Sequence, residues 1–302
     1  MKKWFKQTVA AGVILAGGLT LAACGTDEGD AEDREGLAIT TSFSVLGNMI
    51  EEVIGDRGEV DYIVPVGEEP HEYEPVPSDF RKVSDSDVFY INGMDLEEWL
   101  ERIVSNAADT EIVELSEGVE PIPLEGSDEA DPHAWLTPKS GITYVENLLD
   151  DLIERDPDGE EHYRENAEAY IEELRELDAW IEEEVSVIPE ENRLIVVSEN
   201  AFKYFGADYG FDTEGVWEIN SHEEGTPQQI NRVIDLVQDR GVPSVFVEST
   251  VDDRYMSQVS DNAGVPIAGE VYTDALGGEG SGAETYIDML RHNAETFVEG
   301  LK

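Results

Sequence analysis

The sequence predicts an α/β protein of two lobes, each a parallel sheet flanked by helices, with one long helix joining them. Three observations carry that expectation. Short apolar runs alternate with stretches of helical length through both halves of the chain, and such alternation implies parallel strands with helical crossovers. One central segment, residues 158–188, keeps apolar residues at steps of four and three, the signature of a single buried helix face. The 302 residues, 40% of them hydrophobic, suffice for two domains with real cores.

The folded elements start late. Lys2, Lys3 and Lys6 precede an apolar run from Val9 to Ala23 that is too short to be a comfortable membrane span. Residues 1–23 therefore read as a signal peptide. The run ends in Leu21-Ala22-Ala23-Cys24, which resembles a bacterial lipobox, with Cys24 as the lipidated residue. An ordinary signal peptide with an incidental cysteine is the alternative; the only cysteine of the chain lies at this boundary, which favours lipidation. Residues 24–37 are rich in glycine and acids and read as a flexible tether.

In the first lobe, 38–157, "LAITTS" (38–43), "EVDYIVPV" (59–66), "VFYING" (88–93) and "EIVEL" (111–115) read as strands. Helical segments are expected at 45–54, 78–87 and 95–107. Asp158 is a candidate cap for the long helix, whose stripe is Tyr163, Ala167, Tyr170, Leu174, Leu177 and Ile181. Pro189 ends it. The second lobe, 189–302, offers strands at 193–197, 214–219, 243–248 and 266–271. An aromatic stretch of helical length follows the first of these. Between the second and third, Thr226, Pro227 and Gln229 form a capping box and Gly241 a C-terminal stop. A last helix is expected over about 283–300.

Charge excludes several function classes. Asp plus Glu number 70 against 19 Lys plus Arg, for a net charge of −51, which repels nucleic acid and anionic lipid surfaces. A single cysteine excludes a disulfide framework and a thiolate metal site. No phosphate-binding G-x-x-x-x-G-K-[ST] occurs. With so many acids, any one carboxylate is weak evidence of function.

Ligands of open parallel sheets bind beyond the C-terminal strand ends, and four residues stand there. His71 lies in "GEEPHEYEP" and His133 in "DPHAWLTP", both Pro-flanked loops. Glu199 follows the strand "RLIVV", and Asp274 opens the Gly-rich loop "DALGGEGSG". Of the other histidines, His162 and His292 fall on polar helix faces and His222 in an acidic loop. Taken singly, each of the four is as readily explained as a solvated surface residue. Taken together, two neutral imidazoles and two carboxylates balance a divalent cation to zero net charge, which avoids burying an unpaired ion. Nitrogen and oxygen donors suit Mn²⁺ or Fe²⁺, and also Zn²⁺.

"PHEYEP", "DPHAWLTP", "SENAFKYFGADYG", "WEINSHEEGTPQQI", "VPSVFVEST" and "VYTDALG" occur in order over about 38–302. They resemble the metal-binding lipoproteins of bacterial ABC importers, the cluster A-I solute-binding family. The resemblance implies two Rossmann-like lobes joined by a long rigid helix, with metal held between them by His71 and His133 from one side and Glu199 and Asp274 from the other. Zinc members usually carry His where this chain has Glu199, and a His-rich loop where it has "IPLEGSDEAD" (122–131). Both departures imply the manganese-type subgroup. The resemblance further implies a monomeric, lipid-anchored extracytoplasmic protein, not an enzyme, serving a permease and its ATPase subunit. Its cargo would be Mn²⁺, with Zn²⁺ or Fe²⁺ as alternatives. A surface adhesin is a second reading and a metallohydrolase a remote third.

The acid bias makes self-repulsion strongest at low ionic strength. The melting temperature is expected to rise as NaCl is increased from about 0.1 to about 1 M, where the Debye length shrinks from roughly 10 to roughly 3 Å. A scanning-calorimetry series that stays flat or falls would show that the acids are well spaced.

Overall fold

The computed structural model describes residues 36–104, 110–219 and 225–302. Cys24, most of the tether and His222 lie outside the described residues. Among those described, no helix is long and apolar enough to cross a membrane.

In the first half, β1 (Leu37–Phe43), β2 (Gly58–Val64), β3 (Val88–Ile91) and β4 (Glu111–Glu114) form one parallel sheet in the order β2-β1-β3-β4. The order reverses between β1 and β3, so the C-terminal ends of those two strands border a crevice. Helix α1 (Ser44–Ile54) connects β1 to β2, and α2 (Pro77–Asp85) precedes β3. The helix expected over 95–107 is reduced to α3 (Leu100–Val104), with residues 105–107 outside the described set. Its first turn is displaced because the Glu97 carboxylate folds back to accept the N–H groups of Asn92 and Gly93 at 2.8 and 3.2 Å. Met94 and Asp95 take positive φ to make that turn.

Helix α4 (Pro138–Arg155) is an element the sequence reading passed over. Thr137 caps it by accepting the N–H of Lys139, with Pro138 in the first turn. Helix α5 (Glu160–Val185) follows and lies against α4. Its 26 residues span about 39 Å, less than the 158–188 expected. Asp158 sits in a tight turn and does not cap the helix; Asp156 anchors this end instead, bound by Arg57 at 2.6 Å and by the Tyr163 hydroxyl at 2.7 Å. The predicted stripe is buried throughout. It belongs to the larger of two apolar clusters, which runs from Ile39 of β1 to Leu301 near the C-terminus. The same core thus draws on both halves of the chain.

The second half is built from β5 (Leu194–Glu199), α6 (Lys203–Tyr209), β6 (Asp212–Trp217), α7 (Pro227–Arg240), β7 (Val245–Glu248), α8 (Arg254–Ala263), β8 (Ile267–Val271) and α9 (Tyr286–Leu301). The Thr226 capping box opens α7 as the sequence predicts. Alternate residues of β5 face different cores: Ile195 and Val197 join the large cluster, Leu194 and Val196 a smaller one with α7 and α8. One parallel sheet was expected here, but β5 pairs with β6 and β7 with β8 as two separate ladders. Between β5 and β7 a side chain replaces the ladder. Glu248 Oε1 accepts the backbone N–H of Ser198 at 2.8 Å and of Glu199 at 2.7 Å.

The two halves meet closely where α4 passes α9. A Cβ on Gly141 would stand 2.5 Å from the Tyr286 hydroxyl, which is fully buried and donates to the carbonyl of Trp135. Gly141→Ala is expected to cost about 1–3 kcal/mol through overpacking, seen as a lower urea midpoint with an unchanged slope. An unchanged midpoint would mean that Tyr286 can yield.

Candidate metal centre

The four residues singled out from sequence come together, although they lie on four separate segments. His71 stands in the loop after β2. The loop is fixed by the Trp99 indole, which donates to the Pro70 carbonyl at 2.8 Å, and by the His71 N–H, which donates to Glu69 Oε1 at 3.0 Å. His133 stands before a single turn, Ala134–Leu136, that leads into α4. Glu199 is the last residue of β5, and Asp274 follows β8 by three residues. All four are at most 2% exposed, so any charge they carry must be balanced locally.

The donor atoms enclose a small cage. His71 Nε2 and His133 Nε2 are 3.1 Å apart. Glu199 Oε1 is 3.6 Å from each of them, and Asp274 Oδ1 is 3.9 and 3.5 Å away. Imidazole and carboxylate donors converging at such separations suit a divalent transition metal, and one donor atom each from His71, His133 and Asp274 lie within 4.8 Å of one another. The second Asp274 oxygen, Oδ2, accepts the hydroxyls of Thr273 at 2.6 Å and Thr250 at 3.4 Å. Oδ1 has no hydrogen-bond partner among the described residues and faces both imidazoles.

Residues that the sequence reading missed hold this set in place. Asp131 Oδ1 accepts both the backbone N–H of His133 and its Nδ1–H, at 2.9 and 2.8 Å. That contact fixes the tautomer and turns Nε2 toward the cage. Its other oxygen is 3.0 Å from Lys203 Nζ, which also reaches Glu218 at 2.5 Å. The Tyr204 hydroxyl donates to the Asp131 carbonyl at 2.8 Å. Trp135 packs 5.2 Å from the His133 ring and donates its indole N–H to the Thr273 carbonyl, joining the His133 and Asp274 segments. The Asp-x-His spacing of "DPH" was the one available signal for Asp131. Nothing local marks Lys203 or Glu248. Of the other histidines, His162 and His292 donate to the carbonyls of Ile54 and Glu270 instead.

Electrostatics separate the two imidazoles. Burial, with His133 beside it, lowers the His71 pKa to about 4. Burial also opposes charge on His133, but Asp131, Asp274 and Glu199 outweigh it and raise that pKa well above the ordinary value. A proton is therefore favoured on His133 over His71. Asp131 stays ionised despite its burial because His133 and Lys203 face it. Burial lifts the Glu248 carboxyl to about 7, partly offset by the two N–H groups it accepts.

Residues 39–300 match the family model described as zinc-uptake complex component A, periplasmic. Over 290 residues the chain is 61% identical to the manganese-binding lipoprotein MntA of Halalkalibacterium halodurans, covering 96% of this chain and 97% of that protein. The manganese ABC transporter substrate-binding lipoprotein PsaA of Streptococcus anginosus is 40% identical over 299 residues, with the same coverages. Among solved structures, the Mn-bound periplasmic metal binding protein of Candidatus Liberibacter asiaticus superposes with a TM-score of 0.81 at 27% identity, over 87% of this chain and 99% of that one.

Cation binding needs His133 neutral at Nε2, so loading near pH 7 is expected to release about one proton per Mn²⁺. Calorimetric titrations in buffers of different ionisation enthalpy would count it. The sign follows from the raised His133 pKa: affinity falls as pH drops from neutrality, and a second proton competes only near pH 4, where His71 titrates. A pH-independent affinity between 6 and 8 would contradict the assignment.

Proposed function

We propose, from the premise that the chain belongs to the zinc-uptake complex component A family, that it is the extracytoplasmic substrate-binding lipoprotein of an ABC importer and that its cargo is Mn²⁺. It captures the cation and delivers it to a membrane permease driven by an ATPase subunit; it carries cargo and catalyses no reaction. The observation that supports this most is the convergence of His71, His133, Glu199 and Asp274, with each imidazole nitrogen 3.1 to 3.9 Å from the other and from both carboxylates.

Each ligand has a distinct part. His133, aligned by Asp131, and His71, on its tethered loop, supply two neutral nitrogens. Glu199 and Asp274 supply the two negative charges that balance the ion. The reading divides the chain into the signal peptide 1–23, a tether 24–37 beginning at lipidated Cys24, an N-terminal lobe 38–157, a linking helix 158–188 and a C-terminal lobe 189–302. Ligands from both lobes make the ion a clamp between them. The Gly-rich loop that begins at Asp274 is the segment that rearranges on release, because α5 and the shared core resist a wide hinge opening.

The oxygen ligand at position 199 tilts the set toward Mn²⁺. By the usual affinity order Zn²⁺ still binds such donors more tightly, so preference for Mn²⁺ arises at release to the permease. Wild-type protein, stripped and reloaded, is expected to bind one Mn²⁺ per chain by metal analysis. Glu199→His replaces a charged oxygen with a neutral nitrogen. It should weaken Mn²⁺ binding by about 100-fold while Zn²⁺ is retained. Equal losses for both ions would remove Glu199 from selectivity, and a wild-type protein that takes up no divalent cation would refute the transport reading.

A further inference from the structure

The four donors are withdrawn from water, yet a cation must reach them. Glu69 stands at that boundary. Its side chain is 23% exposed, against 2% for His71 and 1% for Glu199 and Asp274. Glu69 Oε1 lies 3.9 Å from His71 Nε2, the same separation that Asp274 Oδ1 keeps from that atom. One carboxylate oxygen each from Glu69, Glu199 and Asp274 falls within 4.8 Å of the others, close enough to hold a single ion. The His71 N–H fixes Glu69 Oε1 in this place at 3.0 Å. Asp274 also carries a buried oxygen, Oδ1, that has no hydrogen-bond partner among the described residues.

We propose that Glu69, Glu199 and Asp274 form a second, transient cation position on the solvent side of the imidazole pair. An incoming hydrated Mn²⁺ exchanges part of its water for three carboxylate oxygens there, and then moves inward as His71 and His133 replace the Glu69 contact. Oxygen donors suit this step because they resemble the water they displace. Stepwise exchange also avoids a bare ion in a buried site. Glu199 and Asp274 belong to both positions, so the transfer is a short displacement with two ligands kept. The position is occupied again on the way out, so it speeds loading and release alike and leaves the equilibrium affinity nearly unchanged.

The inference rests on the transport reading and is tested through rates. Trp135, beside His133, is a fluorescence reporter for stopped-flow mixing of metal-free protein with Mn²⁺ alone. Glu69→Gln keeps an oxygen to accept the His71 N–H but loses the charge. Its association and dissociation rates should both fall by about tenfold, with Kd within threefold of wild type. Glu68→Gln removes the same charge from an exposed neighbour and should change either rate less than twofold at about 0.15 M salt. A Glu69→Gln association rate equal to wild type overturns the proposal. So does a raised Kd with unchanged association, which would mean that Glu69 only positions His71. Equal slowing by Glu68→Gln would reduce the effect to the general field and overturn it as well. Wild-type protein that binds no Mn²⁺ would remove the transport reading and this inference together, whereas the other outcomes leave that reading standing.

Discussion

Two imidazole nitrogens 3.1 Å apart, with two buried carboxylate oxygens beside them, set the constraint on which the rest of the structure depends. Such a group is stable only when something positive lies among its members. The raised His133 pKa supplies such a positive charge in the form of a proton, and the proposed divalent cation would take its place. Each donor is therefore aimed by a contact of its own: Asp131 behind His133, Glu69 at the His71 amide, two threonine hydroxyls on the far oxygen of Asp274, and Glu248 at the amide of Glu199. The site is specified less by its ligands than by the partners that leave the ligands one direction to face.

The fold delivers these partners because the two halves share a core. The α5 stripe, β1 and α9 contribute to one apolar cluster, and each large side chain buried there contributes roughly 1.5–3 kcal/mol. Separating the halves widely would expose much of that surface. Motion that releases a cation is consequently cheaper in the segments that carry the ligands than in the helices beneath them. The Asp131, Lys203 and Glu218 contacts fit that division of labour, since they join loops from both halves without entering the core.

Much of this was legible in the sequence, for identifiable reasons. Strand positions followed from short apolar runs, and the α5 stripe from its spacing, because burial imposes those periods directly. The α7 boundaries followed from Thr226, Pro227, Gln229 and Gly241, whose chemistry is local. Helix α4 was not read from the sequence, although Thr137 and Pro138 announce its start. The starts of α3 and α5 were misplaced because Glu97 and Asp156 act through contacts that no local pattern encodes. At the site, the four converging side chains were singled out by their place after strands and by resemblance. Lys203 and Glu248 were not, because a buried charge partner is chosen by tertiary proximity, and among 70 acids a lone glutamate carries no label.

The missing ladder between β5 and β7 has a consequence of its own. A continuous sheet would hold the end of β5 through a row of equivalent bonds, and no single one could be altered without the rest. Here the amide of Glu199 hangs from one carboxyl group on the neighbouring strand. On its other side Glu199 is held by the ladder to β6, where it pairs with Trp217, so the Glu248 carboxyl and that ladder together set its position. In this chain position 248, which is not one of the four converging residues, therefore bears directly on where Glu199 sits.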